Sequence, residues 1–263
     1  MCGIAGFSLA PDSQLERTLA AQSLLAAIAE RGADAVGYAY RSPGDGYPTV
    51  VKQRTPASQL LERISVPPAA GQLLVHVRDY TKGHPSIAAN NHPVRHGPVV
   101  GIHNGIITND DELLERHECA RAEPRMTVDS EAIFAVAAHS RSDARALEEL
   151  EGAMAAAWLD EREADLVHLA RGTGRPLWLG QGRDGVFFAS TKLALEVLEH
   201  YCSLSLRKRQ VREGTLLVLC AGAVQAEARF KPKRYVEAEP LPAVRAPGER
   251  ENCLLVLAAL AAA

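Results

Sequence analysis

The chain has 263 residues, 47% of them hydrophobic and 23% charged, with a formal net charge of −3. That length can bury a sizeable core as one large domain or two small ones, and the near-neutral balance argues against nucleic acid or an anionic membrane surface as partner. Cys2, Cys119, Cys202, Cys220 and Cys253 are odd in number, scattered and without a C-x-x-C pair; this argues against a disulfide framework and a zinc knuckle and suits a reducing cytoplasm.

In chain order, CGIAGFSL (2–9) reads as a strand at the extreme N-terminus, followed by an amphipathic helix from Ser13 to about Glu30, stopped at Arg31-Gly32. The opening segment lacks the basic region of a signal peptide and is broken by Pro11 and Asp12. Short strand-like runs follow, VGYAYR, TVVKQR, QLLVHVR and PVVGIHNG, separated by turn signals. A helical block covers roughly 110–151. Strands return in AMAAAWLD, ADLVHLAR, PLWLG, GVFFAS and TLLVLC, with a helix from Thr191 to about His200 between them and a short run after Gly222. Strand groups around a central helical block predict an α+β layered fold with antiparallel sheets covered by helices. From Lys231 the chain is Pro-rich and poor in pattern, reading as a linker and tail (231–263) behind a domain spanning 2–230. The closing CLLVLAALAAA is too short to span a membrane and reads as a docking element or a truncated end.

Four segments carry possible chemistry. Cys2 lies directly behind Met1, and removal of Met1 would put a thiol and a free α-amine, of pKa about 7.7–8.0, on one residue. A buried structural thiol is the alternative. His103-Asn104-Gly105 supplies a side-chain amide beside an uncovered backbone N–H, the two donors of an oxyanion hole. Asn-Gly is equally the signature of a type I′ hairpin turn. Arg78, at the end of a predicted strand, can grip a carboxylate in two parallel bonds, with Thr81 and Lys82 as further donors, or it can be a solvated loop charge. Asp129 opens an apolar-periodic helix and is either its N-cap or a site for an ammonium group. His92 and His96 have a metal-like spacing, but Pro93 between them opposes a helix presenting both, and no metal or organic cofactor is expected. GTGRPLWLG (172–180) lacks Walker spacing and reads as a β-turn rather than a phosphate cradle.

Together, MCGIAGF, ERGADAVG, HVRDYTKGHPSIAANNHP, HNGI and VDSEAI resemble, in order and spacing, the class II glutamine amidotransferase domain, an N-terminal-nucleophile hydrolase, most of all the glutaminase half of glucosamine-6-phosphate synthase. The resemblance implies a four-layer αββα sandwich of two antiparallel sheets. It implies Cys2 as nucleophile, Asn104 and the Gly105 N–H as oxyanion hole, and Arg78 and Thr81 on the α-carboxylate of L-glutamine. Asp129, with the Gly105 carbonyl, would take the α-amino group, and Arg31 would support the terminal residue. Two positions depart from the pattern: Asp79 stands where the synthases have Trp, and Lys82 where they have His. Lys82 can still help hold a carboxylate, whereas the Trp that in the synthases caps the site and helps gate ammonia passage is replaced here by Asp79. The implied reaction is hydrolysis of glutamine to glutamate and ammonia, delivered to a synthase subunit on another chain. A stand-alone amidohydrolase of glutamine or a γ-glutamyl compound, and a silent glutamine- or partner-binding module, are the alternatives.

Overall fold

The computed structural model describes residues 2–237 and 242–261. Two antiparallel sheets lie face to face. One carries seven strands in the order β11-β9-β10-β1-β4-β2-β3: β1 Gly3–Leu9, β2 Ala35–Arg41, β3 Thr49–Gln53, β4 Gln72–Arg78, β9 Trp178–Gln181, β10 Gly185–Ala189 and β11 Arg207–Gln210. The other carries six in the order β13-β12-β8-β7-β6-β5: β5 Val94–His96, β6 Val99–Ile107, β7 Gly152–Asp160, β8 Leu166–Arg171, β12 Thr215–Cys220 and β13 Ala223–Arg229. Helices α1 Arg17–Ile28, α2 Ala57–Leu61, α5 Lys192–Cys202 and α6 Pro247–Ala261 are associated with the seven-stranded sheet, and α3 Asp110–Arg116 and α4 Glu131–Ser140 with the six-stranded one. This is the αββα sandwich, and its central strands are the ones read from the sequence. The edge strands β5 and β11 and the short α2 were not read: RKRQ is all polar, as an edge strand exposed to water can be.

Period-2 alternation assigns each side chain to a layer. In β7, Ala155, Ala157 and Leu159 fill the gap between the sheets, while Met154, Ala156 and Trp158 pack toward the helices. In β1, Ile4 enters the inter-sheet core and Ala5, Phe7 and Leu9 the helix side. Burying a side chain such as Phe7 contributes about 2–3 kcal/mol. The same parity carries consequences at one end of the gap. Val100 and Ile102 of β6 are inter-sheet, so Asn104 is too; Leu74 of β4 is inter-sheet, so His76 and Arg78 share its face. The β1–β4 register pairs Gly3 with Val77, which brings Cys2 beside Arg78.

Helix α1 starts later than Ser13. The Ser13 hydroxyl bonds Asp184 and accepts from the Leu15 N–H, leaving Glu16 to cap the first turn from its side chain. No helix among the described residues is long and apolar enough to cross a membrane.

His76 is buried between the sheets and His103 on the helix-facing side of β6, beside Ser130, and burial pushes both imidazoles down to about 3; buried His92, stacked on His76 at 4.1 Å, is lowered in the same direction. Such groups stay neutral in the fold but take up protons on unfolding below about pH 6.5, so acid removes stability. Each histidine contributes up to about 1.4 kcal/mol per pH unit below that point. Asp129, whose carboxyl is raised to about 6, acts oppositely between about pH 4 and 6, but it is one group against three. The urea midpoint is therefore expected to fall between pH 7 and pH 5; an unchanged midpoint would show that these rings are not held neutral.

Candidate active site

Cys2 lies half-buried at the head of β1, and its Sγ–H donates to the Asp79 carbonyl at 3.5 Å. Burial pushes the Cys2 thiol up, against the pull of the Arg78 guanidinium. At rest it is a thiol that needs a base to react. Its own carbonyl accepts from Arg31 Nε at 2.9 Å, which ties the first residues of the strand to the short turn after α1.

Two small clefts meet at Cys2. One is lined by Arg78, Thr81, Lys82, His92, Asp129 and Gly105 among others, and the second by Asp79, Thr81, Asn104, Gly105, Arg175 and Glu237. They measure only about 10 and 20 Å³, room for about one water each. A roomier cavity of about 350 Å³ opens at the far end of β1, beside Leu9, Arg41 and Cys220, away from all of these residues.

Asn104 is fully buried, and neither its Nδ2 nor its Oδ1 has a partner. An orphaned buried amide costs about 1–3 kcal/mol and calls for an explanation; a donor held for an incoming oxyanion supplies one. Asn-Gly is no hairpin turn here. Both residues are in the interior of β6, with Asn104 opposite Ala155 and Gly105 opposite Met154. Gly105 takes φ +152°, and a Cβ there would sit 1.8 Å from the Ala153 carbonyl oxygen, so only glycine keeps the strand in place.

The predicted clamp residues are distributed differently. Arg78 is buried, and its guanidinium donates to Asn91 Oδ1 at 2.6 Å, to the Lys82 carbonyl at 2.9 Å and to the Gly83 carbonyl. It thereby shapes the loop that carries Thr81, which is exposed at the cleft rim. The Lys82 ammonium is 2.7 Å from both Asp110 oxygens and 3.0 Å from Asp111, so its charge is matched by two carboxylates of α3. Asp129 is buried, accepts from the Ile107 N–H at 2.7 Å through Oδ2, and does not cap α4 by its side chain. The sequence reading missed Arg175 and Glu237. The loop 172–180 offers glycines without Walker spacing and no signal at its arginine, and Glu237 lies in the segment that reads as linker. No group of three His, Cys, Asp or Glu among the described residues could hold a metal ion.

A sandwich of this topology with a cysteine at the head of a central strand is the N-terminal-nucleophile hydrolase fold. Two solved structures share it at a TM-score of 0.65. The glutamine phosphoribosylpyrophosphate amidotransferase of B. subtilis is 18% identical over 87% of this chain and 49% of its own; a second, described as the allosteric regulatory enzyme of purine biosynthesis, is 19% identical with the same coverage. Residues 81–197 match the model of the glutamine amidotransferase domain. Glutamine–fructose-6-phosphate aminotransferase (isomerizing) of Rhizobium meliloti strain 1021 is 31% identical over 206 residues, and that of Salmonella typhi 33% over 208, in each case 74% of this chain. The chain carries a class II glutamine amidotransferase domain. It spans about a third (32%) of the length of these relatives.

Proposed function

We propose that the chain hydrolyses the side-chain amide of L-glutamine and supplies the ammonia to an acceptor. The observation that carries this reading is the unpartnered Asn104 amide, buried in the cleft that Cys2 also lines. With Met1 removed, the α-amine of Cys2 takes the thiol proton as sulfur attacks the carboxamide carbon. The tetrahedral oxyanion is held by Asn104 Nδ2 and the Gly105 N–H. The amine then returns its proton to the leaving nitrogen as the C–N bond breaks, giving ammonia and a γ-glutamyl thioester. Water, deprotonated by the same amine, cleaves the thioester to glutamate and restores the thiol. Arg31 keeps the terminal residue in place through its carbonyl.

In this reading Asp129 binds the α-ammonium, with Arg78 and Thr81 on the α-carboxylate. Lys82 acts through its ion pairs with Asp110 and Asp111, which fix the loop, and secondarily through its charge. The acceptor belongs to a separate synthase subunit.

The test is release of glutamate and ammonia from glutamine by protein whose mass shows Met1 removed. Equal turnover by protein that retains Met1 would rule out the α-amine as base. Turnover that climbs when a co-purifying synthase is added supports the subunit assignment, and turnover indifferent to every cellular partner removes it.

Asp129 gives the reaction a pH dependence. Burial raises its carboxyl to about 6; as an acid it is charged above that value and neutral below it. Binding of the ammonium therefore improves as pH rises through about 6, and KM for glutamine is expected to increase about tenfold per unit below it. Asp129→Asn should raise KM at pH 8 and flatten this limb; a limb that survives the substitution would reassign it.

A further inference from the structure

The segment after β13 returns to the active site. Glu237 lines the cleft with Cys2, Asn104 and Gly105, and its carboxylate takes two bonds from the Arg175 guanidinium, Nη1 to Oε2 at 3.3 Å and a second from Nη2. Beyond Glu237, Arg245 pairs with Asp79 at 3.3 Å, and the Arg245 and Ala246 amides both donate to the Glu30 carbonyl at 2.9 Å. Helix α6 then anchors the chain. Arg250 pairs with Glu30 at 2.7 Å, Glu249 accepts from Ser58, and Cys253 and Leu257 are buried in the helical layer.

Arg175 is built as a binding group rather than a surface charge. It is 5% exposed, its Nε is buried with no partner, and within the cleft it holds the carboxylate of Glu237. Arg78, by contrast, already serves Asn91 and two loop carbonyls, and Lys82 serves two aspartates. The two clefts also divide the substrate. Arg78 and Asp129 line the first alone, whereas Thr81 and Gly105 line both, so an amino acid held by Arg78 and Asp129 points its side-chain amide past Cys2 toward the second, with Asn104 and Arg175. A cation at Arg175 therefore faces the amine that leaves.

We propose that Arg175 is a carboxylate-binding subsite on the leaving-amine side of Cys2, filled in this chain by its own Glu237. The ligand it fits is a carboxylate on the amine portion of a γ-glutamyl amide, as in a γ-glutamyl amino acid. Such a ligand must displace Glu237 to bind. The inference rests on Cys2 as the nucleophile of a glutamine-type site.

The subsite is tested without turnover, on the full chain lacking Met1, by alkylating Cys2 with iodoacetate or with neutral iodoacetamide and quantifying the Cys2 peptide by mass. In either reaction the sulfur forms a bond to carbon, iodide leaves and the thiol proton goes to buffer. Glu237→Ala is expected to accelerate iodoacetate at least tenfold more than iodoacetamide, with a rate that saturates in iodoacetate and is competed by acetate. Adding Arg175→Gln should abolish the preference; if that double variant does not fold, saturation and acetate competition in the single variant decide. Equal acceleration of both reagents, no acceleration, or a rate linear in iodoacetate overturns the subsite. With the subsite in place, Glu237→Ala should raise kcat/KM for γ-glutamylglycine at least tenfold relative to glutamine, and an unchanged ratio overturns the ligand class. Failure of the underlying reading appears separately, as no ammonia from glutamine.

Discussion

Replacing Cys2 with alanine is expected to lower glutamine hydrolysis by about 10⁴-fold or more, because removal of a covalent nucleophile leaves only binding and oxyanion stabilisation. The fold should be nearly unaffected. The Cys2 sulfur makes a single 3.5 Å bond to the Asp79 carbonyl and precedes the first residue of β1, so the urea midpoint should move by less than about 1 kcal/mol equivalent. Alanine is small enough for Met1 still to be removed, which keeps the α-amine and isolates the sulfur. Another thiol is a poor substitute. Burial pushes Cys202 up to about 11 and Cys253 up to about 12, and neither lines a cleft with Asn104. Ammonia release that survives Cys2→Ala would remove the thioester route altogether.

The central sandwich was legible because its strands are buried on both faces and read as apolar runs, with HVR at the end of one and HNG inside another. What the sequence leaves ambiguous is which face each end residue takes. Asn-Gly satisfies a hairpin turn as well as an oxyanion hole, and the choice is made by the β6–β7 register and the Ala153 carbonyl, a contact across 48 residues that no local signal encodes. Arg78 was read correctly as the end of a strand, but whether its donors point at a ligand or at Asn91 depends on the loop it organises. Lys82 reads as a free donor until α3 brings Asp110 and Asp111 against it from 28 and 29 residues away. Arg175 and Glu237 escape for the same reason. Ion pairs across 62 residues have no periodicity, and a Pro-rich segment gives no hint that it folds back.

Removing the Asn104 amide tests the oxyanion site without touching the nucleophile. Asn104→Ala is expected to lower kcat by about 10²–10³-fold, the usual effect of losing one oxyanion donor, with KM for glutamine little changed. The donor acts on charge that exists only in the tetrahedral state, so ground-state binding at Arg78, Thr81 and Asp129 should persist. Stability gives a second, independent readout. In the resting fold neither polar atom of Asn104 has a partner, so its burial carries a desolvation penalty of about 1–3 kcal/mol that alanine relieves. The cavity left behind offsets part of that gain. The variant should therefore be as stable as the parent within about 1 kcal/mol, although a fully buried side chain has been cut back. A structural asparagine would behave in the opposite way, with a large stability loss and kcat falling only as far as the folded fraction does. A stable, nearly inactive Asn104→Ala with unchanged KM is thus the combination that only a preorganised oxyanion donor produces.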